Sequence, residues 1–413
     1  MSPPRHARLR RRVPRPRPGD PLEAFSPDEI AACLAYAKPR QRWAMVAFGV
    51  ELALLAALAL SAPGRALVRG TIGLAGHFTA GQAALGVAVV VLVQALASLP
   101  FSLRNWSQDV SAGLATQRLG GFLLDWVKSR AVGLALTVVP TGALILAARW
   151  RPPGWPWAAG MVAALLVVAL SLLGPVVLEP LFNRFRPLPP GPLRERVVTL
   201  AATMGIGVRE VLVADASRRT TKVNAYVSGL GRTRRVVVYD TLLARSTAAP
   251  GGTSEDEVAL VLAHELAHVR HRDMLWGTTA AAAGAAAGVV FANWLLARPW
   301  PRHWLHASGL GDPNVAAGLL LLGALGGLLI SPLASAVSRF AEARADWTAL
   351  EVSHDPVTAV AVERRLALEN RADLRPNRMM VALFATHPPI MARIAQARLW
   401  ASSHGVGEAT TLS

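Results

Sequence analysis

Six long apolar blocks dominate the chain, at residues 43–62, 81–102, 131–148, 158–178, 276–297 and 315–336, each rich in Ala, Leu, Val and Gly. Each is close to the roughly 20 residues that cross a hydrocarbon core as an α-helix. A soluble helical protein would instead alternate apolar stripes with charges every few positions. These blocks are almost free of charge apart from Glu51, and Pro140 interrupts the third. Composition agrees, since 53% of the chain is apolar and only 17% is charged, a balance unusual for a soluble protein. Glu51 has two readings: an ionisable group inside a span is a functional candidate, or it lies near the interface or against a neighbour.

Six spans return the chain to the side on which it began, and the basic residues choose that side. Residues 1–42 carry ten Arg or Lys, whereas the loops 63–80, 149–157 and 298–314 carry two each. The positive-inside rule then places both termini in the cytoplasm, as expected of a multi-pass protein of the plasma membrane. The run Arg10-Arg11-Arg12 lacks aromatics and a helical face, so a disordered, topology-fixing tail is expected and no nucleic-acid partner. The first block has no small-residue cleavage pattern after it and reads as a retained anchor. The single Cys33 excludes an internal disulfide and a cysteine-based metal cluster.

The expected organisation is therefore a basic cytoplasmic tail (1–42), four transmembrane helices (43–178), a cytoplasmic segment (179–273), two more spans (274–336) and a second cytoplasmic segment (337–413). Both polar segments face the same compartment and can meet in one site. In the first, a helix is expected at 193–204, followed by short strands at 208–214, 223–229 and 234–239, whose β-branched or alternating residues suit a small sheet. A helix then begins near Ser254, whose hydroxyl can cap it while Glu257 completes a capping box. The expected fold is mainly α, a polytopic helical membrane protein whose catalytic part contains a small β-sheet.

That capped helix carries His264-Glu265-Leu266-Ala267-His268, an H-E-x-x-H pattern. On a helix the i, i+4 spacing puts both imidazoles on one face, with the glutamate one position round. The spacing suits zinc, which brings the pKa of a coordinated water to about 7, and a neighbouring carboxylate, here Glu265, can accept its proton. A catalytic zinc needs three protein ligands and one open position. The helix at 338–350 offers Glu342 as the third, with Asp346 one turn on, able to orient an imidazole through its ring N–H. The alternative is a surface face in which Glu342 and Asp346 pair with Arg339 or Arg344. His271 is discounted as a ligand because the elongated three-histidine pattern would need histidine at Met274.

Glu-Pro-Leu-Phe-Asn at 179–183, Asn-Ala-Tyr at 224–226, Val-Tyr-Asp-Thr-Leu-Leu at 238–243, Glu-x-x-Ala-Asp at 342–346 and Thr-His-Pro-Pro at 386–389 join the zinc motif in one order. Together with Leu-Asp-Trp-Val-Lys at 124–128, this set resembles the CAAX prenyl protease type 1 family of integral-membrane zinc metalloproteases, from about residue 104 onward. The family is related to the bacterial heat-shock membrane metalloproteases. The resemblance implies a zincin-like catalytic domain, one zinc per chain, and Glu342 as third ligand. It implies that His387 and Arg393 contact the substrate backbone or the developing oxyanion, and that Asn224, Ala225 and Tyr226 pair with an extended substrate. The expected partners are membrane lipid and a peptide or protein substrate, lipidated or membrane-bound. Two other functions stay open: a quality-control protease of the heat-shock type, and a zinc-binding membrane carrier without hydrolysis.

Overall fold

The computed structural model describes residues 24–151, 153–229, 234–247 and 254–406. Most of the basic tail, including Arg10–Arg12, lies outside the described residues. The chain opens with α1 (Pro27–Leu60), α2 (Ala62–Gly73), α3 (Thr79–Ser111), α4 (Leu119–Trp150) and α5 (Trp155–Leu173), followed by one π-helical turn and the short α6 (Glu179–Phe182). The catalytic segment contributes β1 (Phe185–Pro187), α7 (Pro192–Thr203), β2 (Glu210–Ala214), β3 (Ala225–Ser228), β4 (Arg235–Tyr239), α8 (Asp240–Thr247) and α9 (Glu255–Arg270). The remainder is α10 (Asp273–Leu296), α11 (Pro299–Leu305), α12 (Ala316–Ser353), α13 (Pro356–Glu369), α14 (Arg378–Phe384) and α15 (Ile390–Ser403).

Six helices among the described residues are long and apolar enough to cross a bilayer, and each carries all or nearly all of one of the apolar blocks. Large side chains such as Val162, Leu165, Leu329 and Leu333 point outward, as a lipid-facing surface requires. Where helices meet, small residues permit close approach: a Cβ on Gly160 would stand 3.1 Å from the carbonyl oxygen of Ala286, so α5 and α10 pack almost backbone to backbone. Pro140 does not end α4, which runs unbroken to Trp150. Glu51 is partly buried on α1, where its backbone carbonyl accepts a 3.0 Å hydrogen bond from the Gln94 amide on α3.

Two helices extend well past their apolar blocks, against the expected boundaries. Residues 27–42 are the first turns of α1 rather than an unstructured tail. Ser26 and Glu29 form a reciprocal capping box there, and Phe25, Ile30 and Cys33 pack with residues of α9, α12, α13 and α15. The helix α12 has 38 residues, about 57 Å at 1.5 Å per residue, against a hydrocarbon core of roughly 30 Å. The boundary expected at 336/337 therefore falls inside one continuous rod, and the separate helix expected at 338–350 is its C-terminal part.

The four-stranded sheet has the order β1-β2-β4-β3. β2 and β4 are parallel and central, with Val236, Val237 and Val238 fully buried, while β1 and β3 are antiparallel flanking strands. Sequence patterning identified β2, β3 and β4 but not β1, whose three residues include Pro187. Leu262, Leu266 and Ala267 of α9 pack against the sheet, and its Leu260 and Ala263 face α13 and α15.

Candidate metal centre

The helix α9 starts where the sequence indicates. The Ser254 side chain accepts the Glu257 N–H at 3.1 Å, and the Glu257 carboxylate accepts the Ser254 N–H at 2.9 Å. Its apolar positions bury one face, which turns His264, Glu265 and His268 toward α12 and the edge of β3. His264 Nε2 and His268 Nε2 lie 3.2 Å apart. The Glu342 carboxylate completes a triangle, with Oε2 3.4 Å from His264 Nε2 and Oε1 3.4 Å from His268 Nε2.

The opposite ring nitrogens meet carboxylates. Asp346 Oδ1 lies 2.7 Å from His264 Nδ1. His268 Nδ1–H donates to Asp273 Oδ2 at 2.9 Å, a direction set by the fact that an ionised carboxylate only accepts. Both imidazoles place Nε2 at the point that Glu342 also faces. Two ring nitrogens and a carboxylate converging on one place call for a positive charge there, and this donor set fits a metal cation. The same field acts on protons: burial works against a charged His264, but Asp346 and Glu342 outweigh it and raise its pKa to about 10.

Glu265 lies beside the triangle. Burial pushes its carboxyl above the ordinary glutamate range, against the pull of the two histidines. His387 places Nδ1 2.7 Å from Glu342 Oε2 while most of its side chain remains open to solvent. Arg393 is deeper. Its Nε donates to Asp346 Oδ2 at 2.8 Å, its Nη2 to Asp346 Oδ1 at 2.5 Å, and its Nη1 is 2.9 Å from Glu363. Burial opposes the Arg393 charge, but these two carboxylates hold its pKa above the ordinary arginine value. The guanidinium thus backs Asp346 while lining the same cavity as His264, Glu265 and His387.

The expected substrate strand is the outer strand of the sheet, since β3 has no strand on its other side among the described residues. Asn224 and Ala225 line a cavity of about 180 Å³ together with His264, Glu265, Glu342 and His387. Tyr226 turns its ring to the other side, with its hydroxyl 3.5 Å from Glu179. His271 is turned away from the triangle, with Nε2 2.9 Å from the Thr348 hydroxyl. The sequence reading missed Asp273 and Glu363, and it named Arg344 only as an alternative partner of Glu342 and Asp346, whereas its partner is Asp273. Asp273 stands five residues after His268, across a break in the helix, so helical periodicity does not bring the two together. Glu363 joins only through tertiary packing of α13.

A converging His-His-Glu group with a buried carboxylate beside it, set at the foot of six helices able to span a bilayer, defines a membrane metalloprotease. The profile of Peptidase family M48 matches residues 187–401. The profile described as CAAX prenyl protease N-terminal, five membrane helices, matches residues 7–184. The chain belongs to peptidase family M48. In the described part of the N-terminal match, four helices are long and apolar enough to span, and the 12-residue α2 is not among them. Relatives include the CAAX prenyl protease 1 homolog of rice, 29% identical over 75% of this chain and 71% of its own length. An uncharacterized metalloprotease of Bacillus subtilis, YhfN, is 25% identical over 92% of this chain and 87% of its own. The crystal structure of S. mikatae Ste24p has the same fold, with a TM-score of 0.73 and 20% identity over 90% of this chain and 89% of that one.

Proposed function

We propose that this protein is a zinc endopeptidase in which His264, His268 and Glu342 hold one zinc ion and Glu265 is the general base. The observation that carries this reading is the convergence of two Nε2 atoms and one carboxylate on a single point with Glu265 beside it. When bound, zinc supplies a Lewis acid that acidifies water and polarises a peptide carbonyl. Glu265 takes the proton from the attacking water and passes it to the leaving amine, a task suited to a carboxyl whose pKa burial has raised. His387, exposed and next to Glu342, donates an N–H to the carbonyl oxygen as that oxygen gains charge. Arg393 acts one layer back: it fixes Asp346, and Asp346 fixes the His264 ring.

The substrate lies as an added strand along the outer edge of β3, recognised through backbone groups near Asn224, Ala225 and Tyr226. Asn224 Oδ1 already accepts the Ala225 N–H at 2.9 Å, so an incoming strand competes with that local bond. The names of the relatives support a lipidated peptide as substrate. The basic N-terminus supports a plasma-membrane protein with both termini and the site on the cytoplasmic side.

The test uses full-length protein in detergent, with metal content measured by mass spectrometry beside cleavage of a quenched fluorescent prenyl peptide and of a denatured membrane protein. Wild type and Glu265→Gln should each hold one zinc, with turnover of the variant lower by about 10²–10⁴-fold and wild-type turnover stopped by a chelator. A fully active glutamine variant removes the general base, and wild-type protein without zinc removes the metal centre. Cleavage of the denatured protein alone moves the substrate from lipidated peptides to quality control.

A further inference from the structure

The elbow between α9 and α10 carries a carboxylate to which the scheme above gives no task. Arg272 adopts a left-handed conformation, with φ at 58°, and ends the run of α9 abruptly. The next residue, Asp273, opens α10 and comes back under the last turn of α9. One of its oxygens accepts the 2.9 Å hydrogen bond from His268 Nδ1. The other accepts from the Arg344 guanidinium on α12. The Asp273 side chain is only 16% exposed.

The arrangement repeats that of the other histidine. His264 meets Asp346, which is held by Arg393; His268 meets Asp273, which is held by Arg344. Each ring therefore faces a carboxylate that is itself pinned by a guanidinium. The two sets have different origins, because Asp346 and Arg393 belong to cytoplasmic helix ends while Asp273 is the first residue of a membrane helix. Arg344 stands two residues after Glu342 on α12, so the ion pair joins the start of α10 to the helix that carries the third ligand.

We propose that Asp273 is a positioning residue of the metal centre: it keeps the His268 proton on Nδ1 and so commits Nε2 to the point shared with His264 and Glu342, while Arg344 fixes the carboxylate in place. The inference rests on the metal-centre reading. A neutral imidazole has one N–H and two places to carry it, and the partner of one nitrogen decides what the other can bind. A carboxylate on Nδ1 also makes the distal nitrogen a better donor to metal. The competing view is that Asp273 merely staples α10 to α9 and α12, which predicts a loss of stability without a change at the ligand.

The experiment compares full-length wild type, Asp273→Asn and Arg344→Met in detergent. It reads zinc affinity by competition with a chromogenic chelator, the visible spectrum of the cobalt-substituted protein, and the melting temperature of the chelator-stripped protein. Asp273→Asn should bind zinc about 10–100-fold more weakly and alter the cobalt spectrum, at a melting temperature close to wild type. Arg344→Met leaves the His268 bond in place and should lose less affinity than Asp273→Asn. Wild-type affinity and an unchanged cobalt spectrum in Asp273→Asn overturn the assignment, as do equal affinity losses in both variants that track their melting temperatures. Wild type that takes up no zinc overturns the metal-centre reading itself, and this assignment with it.

Discussion

His264 sits between opposing effects: burial disfavours its charge, and the Asp346 and Glu342 carboxylates favour it strongly enough to prevail. His387 lies at the open rim of the same cluster, so its replacement separates catalysis from metal binding. His387→Phe should keep zinc while lowering kcat by roughly 10² with a smaller change in KM; unchanged kinetics would make the residue structural. Glu363 gives a pH signature. Burial, opposed by Arg393 and reinforced by Asp346, raises its pKa from 4.5 to about 7. Below pH 4.5 the carboxyl is protonated both folded and unfolded and contributes nothing. From pH 4.5 to about 7 the unfolded chain releases this proton before the folded one does, so stability falls as pH rises. Glu363→Gln should therefore be more stable than wild type by a margin that widens across that window and is constant above it. Thermal melts from pH 4.5 to 8 check this, and a margin independent of pH would remove Glu363 as the titrating group. The part played by Glu363 was not legible in sequence, because Glu363 reaches Arg393 only when α13 packs against α15.

The catalytic helix was legible because its information is local. The Ser254–Glu257 box, the i, i+4 histidines and the buried Leu262 and Leu266 all lie within one segment. Ser254→Ala removes the side-chain acceptor for the Glu257 N–H and should destabilise the catalytic segment by about 1 kcal/mol. Hydrogen exchange should show faster opening of the first turn of α9 with the zinc stoichiometry unchanged, and unaltered exchange would mean that packing alone holds that end. The strands β2, β3 and β4 were likewise visible as β-branched or alternating runs, whereas β1 has three residues and owes its existence to pairing with β2. Glu342 was legible as a candidate third ligand from the Glu-x-x-Ala-Asp spacing, while its place on the same helix as the sixth span was not. Hydropathy marks where a helix leaves the membrane, not where it ends.

At the scale of the whole molecule, the apolar blocks dictated the six long helices, and the site falls where two of them leave the membrane. α10 begins at Asp273, and α12 carries Glu342 in its C-terminal half, beyond the apolar block. His264 and His268, by contrast, ride on α9, which is seated on the sheet. The ligand set is thus divided between a body in water and a rod whose other half is immersed in lipid. A helix too long for its bilayer tilts, and one too short draws the bilayer in. For a rigid lever of this length, a few degrees of tilt about its membrane half sweeps the carboxylate through distances comparable to a metal–ligand bond. Reconstituted in phosphatidylcholines of increasing acyl length, the enzyme should show a maximum in both zinc affinity and kcat at one thickness and a decline on either side. Flat profiles would mean that the sheet and α9 hold Glu342 unaided. Lipid composition then becomes a control on activity that leaves every catalytic residue untouched: the thickness of the membrane is, in effect, one of the dimensions of the active site.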